Sequence, residues 1–168
     1  MDPLIWAFIG TIIGAVTSIA TTVITSSASS KQALNTRKLE RQERALDFQR
    51  ENILMLQTEL QEYVRNCSRI YYHDKLNFET SGNWGANIPP ELDEQNRILS
   101  GKVAILIHRV EHDQLREMLT SLKSQIVDCV MSRSQDDAKS SFHSYSEQYE
   151  IVSKKLGEVL RSTYPTNA

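Results

Sequence analysis

Two histidines in the middle of the chain have the spacing of a zinc-peptidase motif. Residues 108–112 read His-Arg-Val-Glu-His, an H-x-x-E-H pattern in which His108 and His112 share one face of a helix and can reach the same Zn²⁺. Such a site needs a third ligand and a catalytic domain, and the chain has no room for that domain. Asp113 is typical of a helix start, which places His112 in a turn. We therefore predict solvated turn histidines, with no catalytic residue, cofactor or metal.

Other chemistry-bearing motifs are missing from the sequence. It contains no P-loop, GxGxxG or GxSxG pattern, and its two cysteines, Cys67 and Cys129, are too few for a disulfide framework or a cysteine-based zinc site. Both cysteines fall on apolar helix faces, which predicts buried, reduced thiols. The net charge of −2 gives no general case for nucleic-acid binding. The sequence therefore predicts a protein that is not an enzyme.

The first structural element is an uncharged stretch close to the N-terminus. Residues 4–24 contain no charged side chain and would span roughly 31 Å as a helix, the thickness of a bilayer's hydrocarbon core. Residues 1–3 lack the basic residues of a secretory signal, and the stretch is too long for one. We predict an uncleaved transmembrane anchor at residues 1–25.

Basic residues follow this stretch and predict its orientation. The predicted juxtamembrane segment covers residues 26–38, and the cations at and just beyond it are Lys31, Arg37, Lys38, Arg41 and Arg44. Positive flanks stay in the cytoplasm, so we expect a single-pass protein with its N-terminus outside and its C-terminal domain in the cytoplasm. The cations can contact anionic lipid headgroups, or they can form i,i+3 and i,i+4 pairs with Glu40 and Glu43 on a solvated helix.

Small residues recur every fourth position within the predicted anchor. Gly10, Gly14, Ser18 and Thr22 lie on nearly one helix face, which permits close approach of a second helix. This pattern predicts a homo-oligomer. The hydroxyls of the stretch can line a helix interface or a narrow pore, or they can bond to carbonyls of their own helix.

A heptad pattern follows and predicts one long helix, from about residue 31 to residue 72. Its seam consists of Leu39, Leu46, Ile53, Leu56, Leu60 and Tyr63. Gln42 and Gln49 occupy the second seam position in the half nearer the N-terminus, and they weaken it as an isolated coiled coil. The helix either pairs with a second copy or packs on later helices of its own chain, and periodicity does not separate these alternatives.

The remaining sequence predicts three shorter helices. Turn-forming residues between 74 and 90 predict a loop, and we expect Trp84 within it to fold back onto the bundle. A helix then begins at Pro89-Pro90, and the apolar faces of two further helices start near Asp113 and Asp136. The fold prediction is all-α: an N-terminal transmembrane helix, a long helix and a cytosolic bundle of about four helices covering residues 39–168.

This layout resembles uncharacterised small single-span membrane proteins of bacteria and their phages. The resemblance covers nearly the whole chain. It rests on the anchor, the basic long helix, and an apolar triplet plus histidine (105–108) followed by an acidic turn (111–113) and a short amphipathic helix (114–119). It implies a protein of the bacterial inner membrane and supplies no catalytic residues.

Three functions fit these expectations. The first is a non-enzymatic scaffold that contacts the lipid bilayer, self-associates and binds an unidentified partner protein at the inner face of the membrane. The second is a membrane-permeabilising effector or toxin that oligomerises through its transmembrane helix. The third is a phage lysis protein, which requires the opposite orientation.

Overall fold

The computed structural model is all-α, as predicted. It describes residues 3–85 and 88–164, which form four helices and no strand: α1 (Pro3–Ser81), α2 (Pro90–His108), α3 (Asp113–Val130) and α4 (Gln135–Ser162). Within α1, the side chains of residues 3–16, 19, 20, 23 and 24 lie outside the description. The chain divides into two compact units, Met1–Ala45 and Leu46–Ala168, named below the N-terminal unit and the bundle unit. Helix α1 contributes residues to both.

The predicted transmembrane anchor falls largely on side chains outside the described part. Gly10 and Gly14 belong to helix α1, but their surroundings lie outside the described part of the structure. Ser18 and Thr22, the other members of the predicted small-residue face, are exposed. In the part of the chain that the structure describes, no helix combines the length and the apolar character needed to cross a bilayer.

The loop after α1 is shorter than the predicted loop at 74–90. Residues 74–81 continue α1, because neither Gly nor Pro interrupts the chain before Gly82. Gly82 ends the helix with a φ of 73°, and its N–H donates to the carbonyl of Phe78 at 2.9 Å. This left-handed glycine is a common helix terminator. The prediction placed the boundary too early because it grouped the polar residues before Gly82 with the turn.

Side chains cap two of the later helices. The Nδ1 atom of His112 accepts a hydrogen bond from the N–H of Leu115 at 3.2 Å, so His112, and not the expected Asp113, caps α3. Asp113 is the first helical residue. A neutral imidazole nitrogen accepts this bond as a carboxylate would, and only one residue can hold the capping position. In α4 the Ser134 hydroxyl accepts from the N–H of Asp137 at 3.2 Å.

The core of the bundle unit is built from one face of each helix. In α2 the apolar run 103–107 forms helix, as expected over strand. The apolar face of α3 is fully inward, and α3 packs against both α4 and α2. The largest buried side chains are Tyr63, Tyr145, Ile53, Leu56, Leu60, Ile70, Leu115, Leu119, Leu122, Ile126, Leu156 and Val103. Burial of this apolar surface is the main stabilising contribution to the unit.

The heptad seam of α1 has two environments. Ile53, Leu56, Leu60 and Tyr63 are at most 1% exposed and belong to the same apolar cluster as α2, α3 and α4. This part of the helix therefore packs within its own chain. Leu46 is 44% exposed at the start of the bundle unit, and Leu39, in the N-terminal unit, is 60% exposed.

Candidate binding surface

The two histidines of the H-x-x-E-H sequence lie on different helices. His108 is the exposed last residue of α2, and His112 uses Nδ1 to cap α3 after a short turn. They therefore lack the single helix face that the zinc motif requires. Among the described residues, no group of three or more His, Cys, Asp and Glu side chains is placed to hold a metal ion.

The two thiols are buried and serve as packing groups. The Sγ of Cys67 donates to Oδ1 of Asn96 at 3.2 Å, and that of Cys129 lies 3.6 Å from the carbonyl oxygen of Ala138. Burial raises the pKa of both thiols to about 12, and Asp74 adds a repulsive charge near Cys129. Such thiols are weak nucleophiles, because the reactive thiolate is disfavoured.

Amide side chains of α1 bind the turn between α2 and α3. The Nε2 of Gln49 donates to the carbonyl of Arg109 at 3.0 Å, and its Oε1 accepts from the N–H of Glu111 at 3.1 Å. Close by, the Nδ2 of Asn52 donates to the carbonyl of Leu106 at 3.1 Å. The two bonds of Gln49 satisfy backbone groups left over where α2 ends. Gln49 therefore has a structural role that its heptad position did not predict.

A cluster of aromatic rings lies at the other end of the α1 segment in the bundle unit. Tyr71 and Phe142 are stacked, with ring centroids 4.3 Å apart, and Phe142 meets Tyr145 edge to face at 5.1 Å. Tyr72 meets Phe142 at 5.9 Å. Trp84 folds back onto Tyr71 at 5.8 Å, as expected. Because Tyr145 is fully buried, the cluster is anchored in the core.

Three rings of this cluster, Tyr71, Tyr72 and Phe142, form the floor of an open groove between α1 and α4. This aromatic groove has a volume of about 590 Å³ and is lined by Tyr71, Tyr72, Lys75, Asp136, Lys139, Ser140, Phe142 and His143. Tyr72 is 54% exposed at the edge of the groove. Burial raises the pKa of Tyr71, with smaller contributions from Cys129 and Tyr72. Tyr71 therefore presents a neutral ring to the groove at physiological pH.

A second depression adjoins the aromatic groove. This Trp84 pocket has a volume of about 560 Å³ and is lined by Phe78, Gly82, Asn83, Trp84, Arg133, Ser134, Gln135 and Asp136. Asp136 lines both depressions, so they follow one another along the surface. Together they form an elongated surface, named below the docking groove.

The docking groove carries uncompensated positive charge. Lys75, Lys139 and Arg133 form no ion pair with any residue in the described ranges. His143 instead lies 3.3 Å from a carboxylate oxygen of Glu147. Asp136 is the one acidic residue among the lining side chains. An aromatic floor with cations at its rim suits a ligand that is both apolar and anionic.

The predicted basic residues all belong to the N-terminal unit. Lys31, Arg37, Lys38, Arg41 and Arg44 are all exposed on α1. The Nε of Arg44 donates to the backbone carbonyl of Glu40 at 3.1 Å, and its Nη2 lies 3.8 Å from the Glu40 carboxylate. One of the expected i,i+4 pairs is therefore present.

Comparison with protein-family models, curated proteins and solved structures finds no match to this chain. The interpretation of the docking groove as a binding surface therefore rests on its geometry. Its sequence signals are the Tyr71-Tyr72 pair and Phe142, but only tertiary packing brings them together.

Proposed function

We propose that this protein is a non-enzymatic, membrane-anchored adaptor whose helical bundle binds a partner protein in the bacterial cytoplasm. One observation carries the proposal: from Ile53 onward the apolar seam of α1 is covered by the chain's own helices, while the aromatic groove stays open. A bundle with a closed core needs no second copy for its stability. Its open aromatic surface is then available to a partner.

The anchor in this proposal is the uncharged stretch 4–24. Its length matches a bilayer core, and the cations that follow it favour a cytoplasmic bundle and an external N-terminus. The same cations, from Lys31 to Arg44, would lie beside anionic headgroups at about 1 kcal/mol each when close to the surface.

Self-association of the anchor through Gly10, Gly14, Ser18 and Thr22 is part of the proposal. Hydroxyl contacts favour an adaptor over a pore. The hydroxyls of Thr21 and Thr22 donate to the carbonyls of Thr17 and Ser18, each at 2.8 Å. Hydroxyls engaged in this way contribute less to the polar lining of a channel.

Membrane location and orientation are tested with fusions at Ala168. A cytoplasmic reporter should be active there, a reporter that works only outside should be silent, and the protein should resist alkaline extraction from membranes. An active external reporter would refute the orientation and favour a lysis protein. Dye entry into cells on expression would favour the permeabilising effector, and release by alkaline extraction would refute the anchor.

The small-residue face is tested by crosslinking in membranes. Gly14→Ile places a branched side chain at the proposed contact and should abolish most of the crosslinked dimer, because close packing drives helix association in lipid. Ala20→Ile adds the same side chain on the opposite helix face and should leave the dimer unchanged. Both variants should still insert, since Ile is more apolar than Gly or Ala. Equal dimer yield in the two variants would refute this interface.

A further inference from the structure

The docking groove has an apolar aromatic floor that is anchored in the core, and its charged side chains line the same surface. Phe142 is held between Tyr71 and Tyr145, whose ring centroids lie 4.3 and 5.1 Å from its own. Tyr145 is fully buried, and its hydroxyl lies 3.3 Å from that of Ser68 on α1. A floor fixed in this way presents its apolar surface without reorganisation, which lowers the entropy cost of binding.

The shape of the groove fits an extended segment better than a compact ligand. The aromatic groove and the Trp84 pocket follow one another through Asp136, with volumes of about 590 and 560 Å³. Each could take one large side chain of a peptide that runs across both. A single small ligand would fill only one of them.

The charge of the groove selects the sign of its ligand. Lys75 and Lys139 flank the aromatic groove, and Arg133 lines the Trp84 pocket, all without an ion-pair partner among the described residues. Asp136 offsets one of the three. The groove therefore favours an acidic ligand, since complementary charge accelerates encounter and rejects ligands of the wrong sign.

We propose that the docking groove binds an acidic peptide segment of a partner protein, with an aromatic or long aliphatic side chain seated on the Tyr72–Phe142 floor. This inference rests on the adaptor function proposed above and specifies its partner. Carboxylates of the peptide would meet Lys75 and Lys139, and its apolar anchor would cover the exposed ring of Tyr72. Aromatic anchors in partly preformed pockets commonly dominate the energy of such interfaces.

The charge density argues for a peptide over a membrane or a nucleic acid. Segments that bind anionic lipids by charge carry clusters of four to eight cations, whereas the docking groove has three cations and one carboxylate. Nucleic-acid sites need a basic patch or stripe, and this chain has a net charge of −2. The large aromatic area is best used by a ligand with apolar side chains.

A phage-displayed library of random 12-residue peptides, selected on the detergent-solubilised full chain, tests the proposal. The selected peptides should be enriched in Asp and Glu around Phe, Trp, Tyr or Leu. Their affinity, measured by fluorescence anisotropy, should fall at least about 10-fold in the double variant Lys75→Glu/Lys139→Glu and about 5-fold in Tyr72→Ala. Recovery of basic peptides, or no enrichment at all, would overturn the proposal.

Matched variants separate the groove from general charge and folding effects. Lys154→Glu makes the same charge change as Lys139→Glu at an exposed position of α4 outside the groove, and Ile151→Ala removes an apolar side chain that is as exposed as Tyr72. Both should bind the selected peptides like the wild type. Lys139→Glu alone changes an exposed side chain, so weaker binding by that variant with an unchanged thermal midpoint would exclude misfolding as the cause. Equal loss in Lys154→Glu would refute the groove.

Two further arms separate this inference from the alternatives and from the adaptor function. Vesicles containing phosphatidylglycerol, or a single-stranded oligonucleotide, that bind the wild type and not Lys75→Glu/Lys139→Glu would show that the groove takes another class of ligand. Peptide binding is measured in detergent and does not depend on membrane insertion. A protein that binds the peptides but leaves the membrane on alkaline extraction would refute the anchor alone, and an inserted protein with no peptide binding would refute the groove alone.

Discussion

The two parts of helix α1 share a heptad repeat but differ in whether the seam side chains are buried or exposed. In residues 46–81 the seam positions from Ile53 onward are buried against three other helices of the same chain. In residues 25–45 every side chain is exposed, and the hydrogen bonds found there are local, such as that from Arg44 to Glu40. The same periodicity thus accompanies a core in one part and a solvated surface in the other.

A heptad pattern therefore identifies a helix and one of its faces but not the partner of that face. Leu39 and Leu60 occupy equivalent positions, three heptads apart, and their exposures are 60% and 1%. Leu60 packs in one apolar cluster with side chains of α2, α3 and α4. The supply of apolar surface elsewhere in the chain, and not the repeat itself, decides which leucine is buried.

The largest expected effect is on the free energy of unfolding, and it distinguishes these two leucines directly. Leu60→Ala should lower the free energy of unfolding by about 2–5 kcal/mol, because it leaves a cavity in a closely packed core. Leu39→Ala should change it by less than about 0.5 kcal/mol, as for most exposed positions. Urea unfolding of the detergent-solubilised protein, followed by circular dichroism, measures both. A comparable loss in Leu39→Ala would show that the N-terminal unit buries this side chain in a contact with another chain.

The second effect concerns the thiols, which occur in the bundle unit alone. Burial raises the pKa of Cys67 and Cys129 to about 12 in the folded protein. The unfolded chain ionises near pH 8.5–9, so stability is fully present below that pH and is lost as the pH rises towards 12. Ionisation of the two thiols should therefore lower the free energy of unfolding by about 3–4 kcal/mol between pH 8 and pH 10.

Urea unfolding at the two pH values checks this loss, with Cys67→Ala/Cys129→Ala as the control. The control should lose clearly less stability over the same interval. An identical loss would assign the effect to other groups, such as Tyr63, whose pKa burial also raises to about 12.

A cysteine placed in the N-terminal unit by Leu39→Cys should react with a thiol reagent at pH 8, while the native thiols should react only after unfolding.

Much of the fold could be predicted from the sequence, because apolar periodicity is a local signal. The apolar faces of α3 and α4, and the helical state of residues 103–107, follow from spacing alone. The end of α1 could not be predicted, since the polar residues before Gly82 favour turns as isolated residues. The docking groove was also beyond prediction, because Tyr71 and Phe142 are far apart in sequence and meet only through packing.

The third effect compares two glutamines at equivalent heptad positions. Gln49 holds the α2–α3 turn through the carbonyl of Arg109 and the N–H of Glu111, whereas Gln42 is exposed in the N-terminal unit. Gln49→Ala should cost about 1–2 kcal/mol, the net contribution of two partly solvated hydrogen bonds, and Gln42→Ala close to nothing. Thermal unfolding of the two variants measures the difference. Equal midpoints would show that water replaces the glutamine at the turn.

The smallest effect separates the two histidines of the H-x-x-E-H sequence. His112 caps α3 through Nδ1, so His112→Ala should lower the free energy of unfolding by about 1 kcal/mol, in the range of other capping residues. His108 is exposed at the end of α2, and His108→Ala should be nearly neutral. His112→Asn restores an acceptor at the capping position and should recover most of the loss, which a role as a metal ligand would not allow. Urea unfolding measures the stability of all three variants, and the zinc content of the purified protein tests the metal interpretation. Stoichiometric zinc that is lost equally in His108→Ala and His112→Ala would mean that the two side chains bind one metal ion although they lie on different helices.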